Sequence, residues 1–302
     1  MPLLTRRRFL QAGAGLSGAG LSLGAYAGAI EPGFRLEITS YAIDPPNWPR
    51  GLRLKIGVIA DIHACEPWMG PGRIRHIAEL TNALQPDVIV LLGDFHGGHN
   101  IVTGPVVPEQ WGEALSILKA PLGVHAILGN HDWWHGPLPR DAGDGGESVR
   151  RALRHASFNV MENSVLRLSK GGQPFWLMGL GDQIAYRTGR YTTEGVDDLD
   201  GTLRLLTDDA PAILLAHEPR IFGRVPERVA LTLCGHTHGG QVNLPGWIDS
   251  HVRHARFGPA KMAYGHIIQD NRHLLISGGL GTSIAPIRFF RPPEIVEVDI
   301  GA

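Results

Sequence analysis

Cysteine is scarce in this chain: Cys65 and Cys234 are the only two among 302 residues. Two thiols cannot build a disulfide framework. A single bridge and a pair of free buried thiols remain as alternatives, of which free thiols are the commoner. Charge of one sign is also missing. The net charge of -1 gives no electrostatic footprint for nucleic acid. Past the N-terminus no apolar run reaches membrane-spanning length. Neither an internal repeat, a low-complexity block nor an interdomain linker breaks the chain. The hydrophobic fraction, 43%, is ordinary for a globular protein.

The N-terminus departs from that pattern. "TRRRFLQ" precedes a stretch without a charged residue from Phe9 to Ile30, rich in Gly and Ala. A basic start, an apolar middle and a small-residue site at Ala25-Tyr26-Ala27 describe an export signal. Paired arginines followed by Phe-Leu resemble the twin-arginine type, so the twin-arginine export machinery is an expected partner. An N-terminal membrane anchor is the alternative. Residues 1–30 are accordingly expected outside the fold, and 31–302 form one catalytic domain. Arg6, Arg7 and Arg8 favour the cytoplasmic side, so the domain is expected in the cell envelope, periplasmic or on the outer face of the cytoplasmic membrane.

From Phe34 onward, strand and helix patterns alternate. "FRLEITSYAI" alternates as a half-buried strand does. "RLKIGVIAD", "DVIVLLGD", "VHAILGNHD", "FWLMGLGD", "AILLAHEP" and "VALTLCGHTH" are nearly continuous apolar runs, as in strands covered on both faces. Ile74, Ile77, Ala78, Thr81 and Leu84 sit at helical spacing before Pro86. Pro108 to Ala120, "ESVRRALRHA" and Asp198 to Leu206 predict further helices, and "HLLISGGLG" and "EIVEVDI" closing strands. The alternation argues for a layered α/β fold. In open α/β sheets the crevice beyond the strand carboxyl ends is the usual ligand site.

Those ends carry Asp61, His63, Asp94, Asn130, His217, His236 and His238. Any one aspartate there is an ordinary turn residue. Together they are oxygen and imidazole donors without a thiolate, a set that suits Mn, Zn, Fe or Co. Seven donors exceed one tetrahedral ion. They fit two ions sharing a carboxylate, roughly 3.5–4 Å apart.

In order, the motifs read "DIH", "GD", "GNHD", "AHEP" and "GHTHGG". This succession, from about Lys55 to Gln241, resembles the calcineurin-like metallophosphoesterases. The resemblance implies a four-layer α-β-β-α sandwich and two divalent metal ions. It implies that Asp61, His63 and His238 hold one ion and Asn130, His217 and His236 the other, with Asp94 bridging. His131 would act beside the phosphate as general acid or transition-state stabiliser, oriented by Asp132. A metal-bridging hydroxide would attack a phosphoester or diphosphate bond. Gly235, Gly239 and Gly240 would allow tight turns and close approach to a ligand. "GHTHGGQ" and "GLGTS…PIRFFRPPEI" are similar to a bacterial, membrane-associated branch that includes enzymes cleaving the diphosphate of UDP-2,3-diacylglucosamine.

Residues beside the motifs leave alternatives open. His96 and His99 are either substrate contacts or solvated loop histidines. Trp68, Met69, Trp133, Trp134, Phe289 and Phe290 serve either packing or contact with a lipid. The expected substrate is a phosphoester, lipid-linked or of the cell envelope, with the chain membrane-associated. A soluble periplasmic nucleotide or general phosphodiesterase is the second enzyme reading. A non-catalytic scaffold is disfavoured by the intact motifs. Sidedness bears on the choice, because UDP-linked lipid precursors are made on the cytoplasmic side. A reporter active only outside the cytoplasm, fused after Ala302, should be active. Activity only from a cytoplasmic reporter would reverse the orientation and restore the UDP-lipid substrate.

Overall fold

The computed structural model describes residues 17–137, 142–243 and 262–301. Twelve strands form two sheets: β1 (Glu37–Ile43), β2 (Leu54–Ile59), β3 (Val88–Leu91), β4 (Val124–Ala126), β5 (Asn159–Val160), β6 (Ser164–Lys170), β7 (Gln173–Gly179), β8 (Ala212–Leu215), β9 (Val229–Cys234), β10 (Gly265–Gln269), β11 (Arg272–Ile276) and β12 (Glu294–Ile300). The first sheet runs β1-β12-β2-β3-β4-β5 and the second β10-β11-β9-β8-β7-β6. Strands β2, β3, β4 and β5 are mutually parallel, as are β7, β8, β9 and β11. Helices α1 (Pro71–Ala83), α2 (Pro108–Leu115), α3 (Asn130–Trp134), α4 (Glu147–His155) and α5 (Leu199–Arg204) accompany them.

Three apolar clusters show how these elements stack. Ile56, Val58, Val90, Val296 and Val298 of the first sheet pack on Phe175, Leu177, Ile213, Leu215, Leu231 and Leu233 of the second. The opposite face of the first sheet, with Ile59, Ile89 and Leu91, packs on Ile74, Trp111, Leu115, Val149 and Leu153 from the helices. The opposite face of the second, with Met178, Leu214 and Leu274, packs on Leu199 and Phe222. Strand β8 shows why its run is uniformly apolar. Ile213 and Leu215 face the other sheet while Ala212 and Leu214 face the outer layer, so both pleat faces are dry. The result is the expected helix-sheet-sheet-helix order.

Departures from the sequence expectation fall at element ends and sheet edges. Strand β1 begins at Glu37, because Phe34 closes a helical segment instead. Helix α2 stops at Leu115, where the Ser116 hydroxyl donates to the Glu113 carbonyl at 2.8 Å. Strand β4 ends at Ala126, and Asn130 opens α3. The two edge strands β6 and β10 are partly exposed along much of their length, so neither has the continuous apolar run that marks the inner strands.

Residues 17–34 are helical, with a π-helical turn at Tyr26–Ile30. The latter part docks on the sandwich, a contact the sequence expectation for residues 1–30 did not contain. The Arg288 amide donates to the Ala27 carbonyl at 2.9 Å, and the Trp68 indole donates to the Gly28 carbonyl at 2.9 Å. Tyr26 meets Phe289 edge-on at 6.1 Å. Glu31 is buried and accepts from the amides of Phe290 and Arg291. Thr5 to Arg8 lie outside the described residues. Among the described residues no helix is long and apolar enough to cross a membrane.

Candidate metal centre

Parallel strands bring their carboxyl ends to one edge. Asp61 and His63 follow β2, Asp94 follows β3, Asn130 follows β4, His217 follows β8, and His236 and His238 follow β9. Backbone hydrogen bonds lock these ends together. The Asp61 amide donates to the Gly93 carbonyl at 3.1 Å and the His63 amide to the Asp94 carbonyl at 2.9 Å. Across the sheets, His217 Nδ1 donates to the Leu92 carbonyl at 2.7 Å.

The chain turns sharply at these positions. Asp61, His63, Asp94, His236 and His238 all have positive φ, between 45° and 68°. The left-handed region is uncommon for residues other than glycine, though asparagine, aspartate and histidine enter it more readily. Each such turn swings a polar side chain inward at the end of an apolar strand. Gly129 shows how tight the result is: a Cβ there would lie 2.4 Å from Asp94 Oδ1 and 2.6 Å from His217 Cε1.

The donor atoms fall into two groups with one carboxylate in common. In the first, His63 Nε2 lies 3.0 Å from His238 Nε2 and 3.4 Å from Asp94 Oδ2, and His238 Nε2 lies 3.6 Å from Asp61 Oδ1. In the second, His217 Nε2 lies 3.2 Å from the same Asp94 Oδ2, and His236 Nδ1 lies 2.9 Å from Asn130 Oδ1. The ligand-type atoms of Asp61, His63, Asp94 and His238 lie within 4.8 Å of one another, as do those of Asp94, His217 and His236.

Several features fit this set to cations. Asp61 Oδ2 is buried without a hydrogen-bond partner. Burial, with the Asp94 charge adding to it and His217 opposing, pushes the Asp61 carboxyl up to about 7, a cost that a nearby positive charge would relieve. Burial also lowers the pKa values of His63, His236 and His238, leaving neutral rings with a lone pair to offer. His63 Nδ1 and His217 Nδ1 donate to the His96 and Leu92 carbonyls at 2.7 Å, which turns Nε2 of each ring toward the groups. Burial pushes the Asp94 carboxyl up too, but His217, His131 and His63 outweigh it and hold it well below the usual carboxylate range. Oxygen and imidazole donors without thiolate suit a pair of borderline divalent ions.

A family model described as calcineurin-like phosphoesterase matches residues 54–240, the span that contains every one of these side chains. The chain belongs to the calcineurin-like phosphoesterases. It is therefore a metal-dependent phosphoester hydrolase, and its clustered donors fit a dinuclear divalent centre. An uncharacterized metallophosphoesterase of Aquifex aeolicus is 29% identical over 92% of this chain and 96% of its own length. The YkuE metallophosphoesterase of Bacillus subtilis is 30% identical over 98% of this chain and 97% of its own. A transmembrane protein with metallophosphoesterase domain from Danio rerio is 30% identical over 65% of this chain and 42% of its own length.

The remaining candidates separate. His131 belongs to neither group. Its ring lines the cavity in front of them, 4.8 Å from the His63 ring, with Nε2 3.4 Å from the Ser283 hydroxyl. Asp132 does not orient that ring. Its carboxylate points the other way and accepts from the amides of Asp94, Phe95, His96 and Gly129 at 2.8–3.2 Å. As the third residue of α3 it reaches back to the helix start and pins the β3 turn to the β4 turn. His96 and His99 are buried and absent from the cavity wall; His99 Nε2 pairs with the Thr282 hydroxyl at 2.9 Å. Gly240 lines the cavity and Gly239 does not. Cys65 and Cys234 are free and buried.

The loop after β11 was noted only for its family likeness, and sequence reasoning gave Gly281 and Arg288 no part in the site. The Gly281 amide donates to the Asp61 carbonyl at 2.7 Å, and a Cβ on Gly281 would lie 2.2 Å from the Ile62 carbonyl oxygen. Arg288 is fully buried, with burial pulling its pKa down to about 10. It donates to the carbonyls of Gly278, Gly281 and Arg291 and lies 3.4 Å from His238 Nδ1. The signal was present in "GGLGTS", a glycine-rich end to an apolar strand. Asp182 and Glu218, buried behind His217, were also missed; burial and then Glu218 hold the Asp182 carboxyl well above the usual range.

Two outcomes follow from this geometry. Elemental analysis should find Asp94→Ala stripped of most metal, because both groups lose a member, and His131→Ala near the content of the unaltered chain. Equal loss in both would remove the distinction between them. Asp132→Ala should lower unfolding free energy by at least about 3 kcal/mol in urea titration, since four buried amides lose their acceptor. A loss under about 1 kcal/mol would mean that water replaces the carboxylate freely.

Proposed function

We propose that this chain hydrolyses a phosphodiester or diphosphate bond in a lipid-linked or cell-envelope substrate, on the outer side of the cytoplasmic membrane. One observation carries the reading: both donor groups open into a single cavity of about 660 Å³ whose wall includes several aliphatic side chains. Ile184, Val242, Ile284, Ala285 and Ile287 line it beside Asn130, His131, His236 and His238. Ile284 and Ile287 are 58% and 41% exposed, and nearby Phe290 is 55% exposed. The helix that docks on this segment through Ala27 exposes Leu21 and Leu23. Aliphatic side chains beside a polar site suit a substrate with a charged head and an apolar tail. The transmembrane name of the Danio rerio relative agrees with a membrane setting.

Asp61, His63 and His238 would hold one divalent ion and Asn130, His217 and His236 the other, with Asp94 shared. When bound, the two ions supply a nucleophile at neutral pH and Lewis-acid polarisation of the phosphoryl oxygens. The protein residues fix where the phosphate lies. Burial, followed by the neighbouring histidines, holds the His131 pKa well below the ordinary imidazole value, with Asp94 opposing. His131 faces the cavity as a hydrogen-bond donor to developing oxygen charge or as the acid for the leaving group. Its amide donates to Asp94 Oδ1 at 2.8 Å, which ties its position to the shared carboxylate. The Ser283 hydroxyl beside Nε2 can hold the ring in place between turnovers.

The test is hydrolysis of bis-p-nitrophenyl phosphate by the full chain with Mn, Zn, Co or chelator, beside Asp94→Asn. Turnover should require metal and fall by at least about 100-fold in the variant. Chelator-insensitive turnover would sink the reading. For the lipid part, a vesicle-borne phosphodiester lipid should be cleaved faster than its short-chain soluble counterpart. Equal or reversed rates would favour a soluble substrate.

A further inference from the structure

The cavity wall holds one side chain whose role the metal chemistry leaves unassigned. Among the described residues that line it, Arg187 is the single lysine or arginine. It sits on a short hairpin in which Tyr186–Arg187 pairs with Thr193–Glu194. Two aromatic contacts fasten this hairpin to α3. Trp133 meets Tyr186 edge-on at 5.4 Å, and the Arg187 guanidinium lies 3.8 Å from the centre of the Trp134 ring. The Trp134 indole is itself held by a 2.9 Å hydrogen bond to the Ile184 carbonyl.

This guanidinium is poised without being neutralised. Partial burial lowers its pKa although the residue is exposed, and among the described residues no carboxylate contributes to its electrostatics. Glu194 stands opposite Tyr186 in the hairpin, while Arg187 stands opposite Thr193. A guanidinium held over an indole face can still present paired N–H donors matched to carboxylate or phosphate oxygens. The stack also removes much of the rotamer freedom that a binding arginine would otherwise lose.

Position defines which anion it meets. The Trp134 ring lies 5.7 Å from the His131 ring, so Arg187 is one indole away from the side chain that faces the donor groups. A phosphoryl group at the metals would contact His131, and an anion on Arg187 would be a further one on the same molecule. We propose that Arg187 is a specificity-determining residue that binds a second anionic group of the substrate, a few bonds from the phosphoryl group under attack. This rests on the assignment of the cavity as the phosphoester hydrolase site. It narrows the substrate class to phosphoesters that carry another phosphate or carboxylate, and it gives α3 a second use as the brace of the recognition hairpin.

Adenosine α,β-methylene-diphosphate, whose bridging carbon resists hydrolysis, and adenosine monophosphate serve as probes with two phosphates and one. Their binding to the manganese-loaded full chain is measured by isothermal titration, unaltered and as Arg187→Ala, Arg187→Gln and Arg187→Lys. The unaltered chain should prefer the diphosphate by about tenfold, as one charge-assisted contact provides. Arg187→Ala and Arg187→Gln should erase that margin while monophosphate affinity stays within about twofold, and Arg187→Lys should keep part of it. Absence of a preference in the unaltered chain, or equal loss for both probes, would overturn the proposal. So would variants that keep the margin and lose only thermal stability, since the stack on Trp134 would then be purely structural. The titration needs no turnover, so its failure is separable from failure of the hydrolase reading, which chelator-sensitive hydrolysis of bis-p-nitrophenyl phosphate tests.

Discussion

Asp94 carries the constraint around which the site is built. Its Oδ2 lies 3.4 Å from His63 Nε2 and 3.2 Å from His217 Nε2, so one buried oxygen faces both donor groups. Its Oδ1 accepts the His131 amide, which places the cavity-facing imidazole by the same carboxylate. Such an arrangement needs strands from both sheets to end at one level. It also needs a dry surrounding, where an unpaired charge is costly and a shared cation correspondingly favourable. The apolar clusters between and outside the sheets provide that surrounding.

The backbone at the strand ends is strained to serve this geometry. Five of the seven donor residues occupy the left-handed region, where each costs of the order of 1–3 kcal/mol in isolation. The surrounding bonds hold them there. Asp132 gathers four amides of the β3 and β4 turns, and the loop after β11 seals Asp61 through the Gly281 amide. Arg288 closes the same loop by donating to the Gly281 and Arg291 carbonyls, with its guanidinium also reaching His238 Nδ1. Rigidity at this level keeps imidazoles and carboxylates convergent.

The cavity mouth has a different character. It is built from loop residues, the α3 aromatics and the hairpin bearing Arg187, with isoleucines in its wall. Reaction class and substrate choice therefore reside in separate layers: the strand ends define the chemistry, and the loops define what reaches it. The N-terminal helix joins the second layer, since Ala27 and Gly28 bond to Arg288 and Trp68.

The ordered motifs at the ends of apolar runs were legible without coordinates, because a buried strand must be apolar and any polar residue at its end stands out. Asp61, His63, Asp94, Asn130, His217, His236 and His238 were found that way, as was the layered α/β order. Their division into two groups came from the family resemblance, and the interatomic distances agree with it. The edge strands β6 and β10 escaped because half-exposed strands lack that signature. The direction of the Asp132 carboxylate, the burial of His96 and His99, and the approach of Gly281, Arg288 and Arg187 depended on tertiary structure alone. Side-chain direction and contacts between residues far apart in the chain are set by packing, and local composition encodes neither.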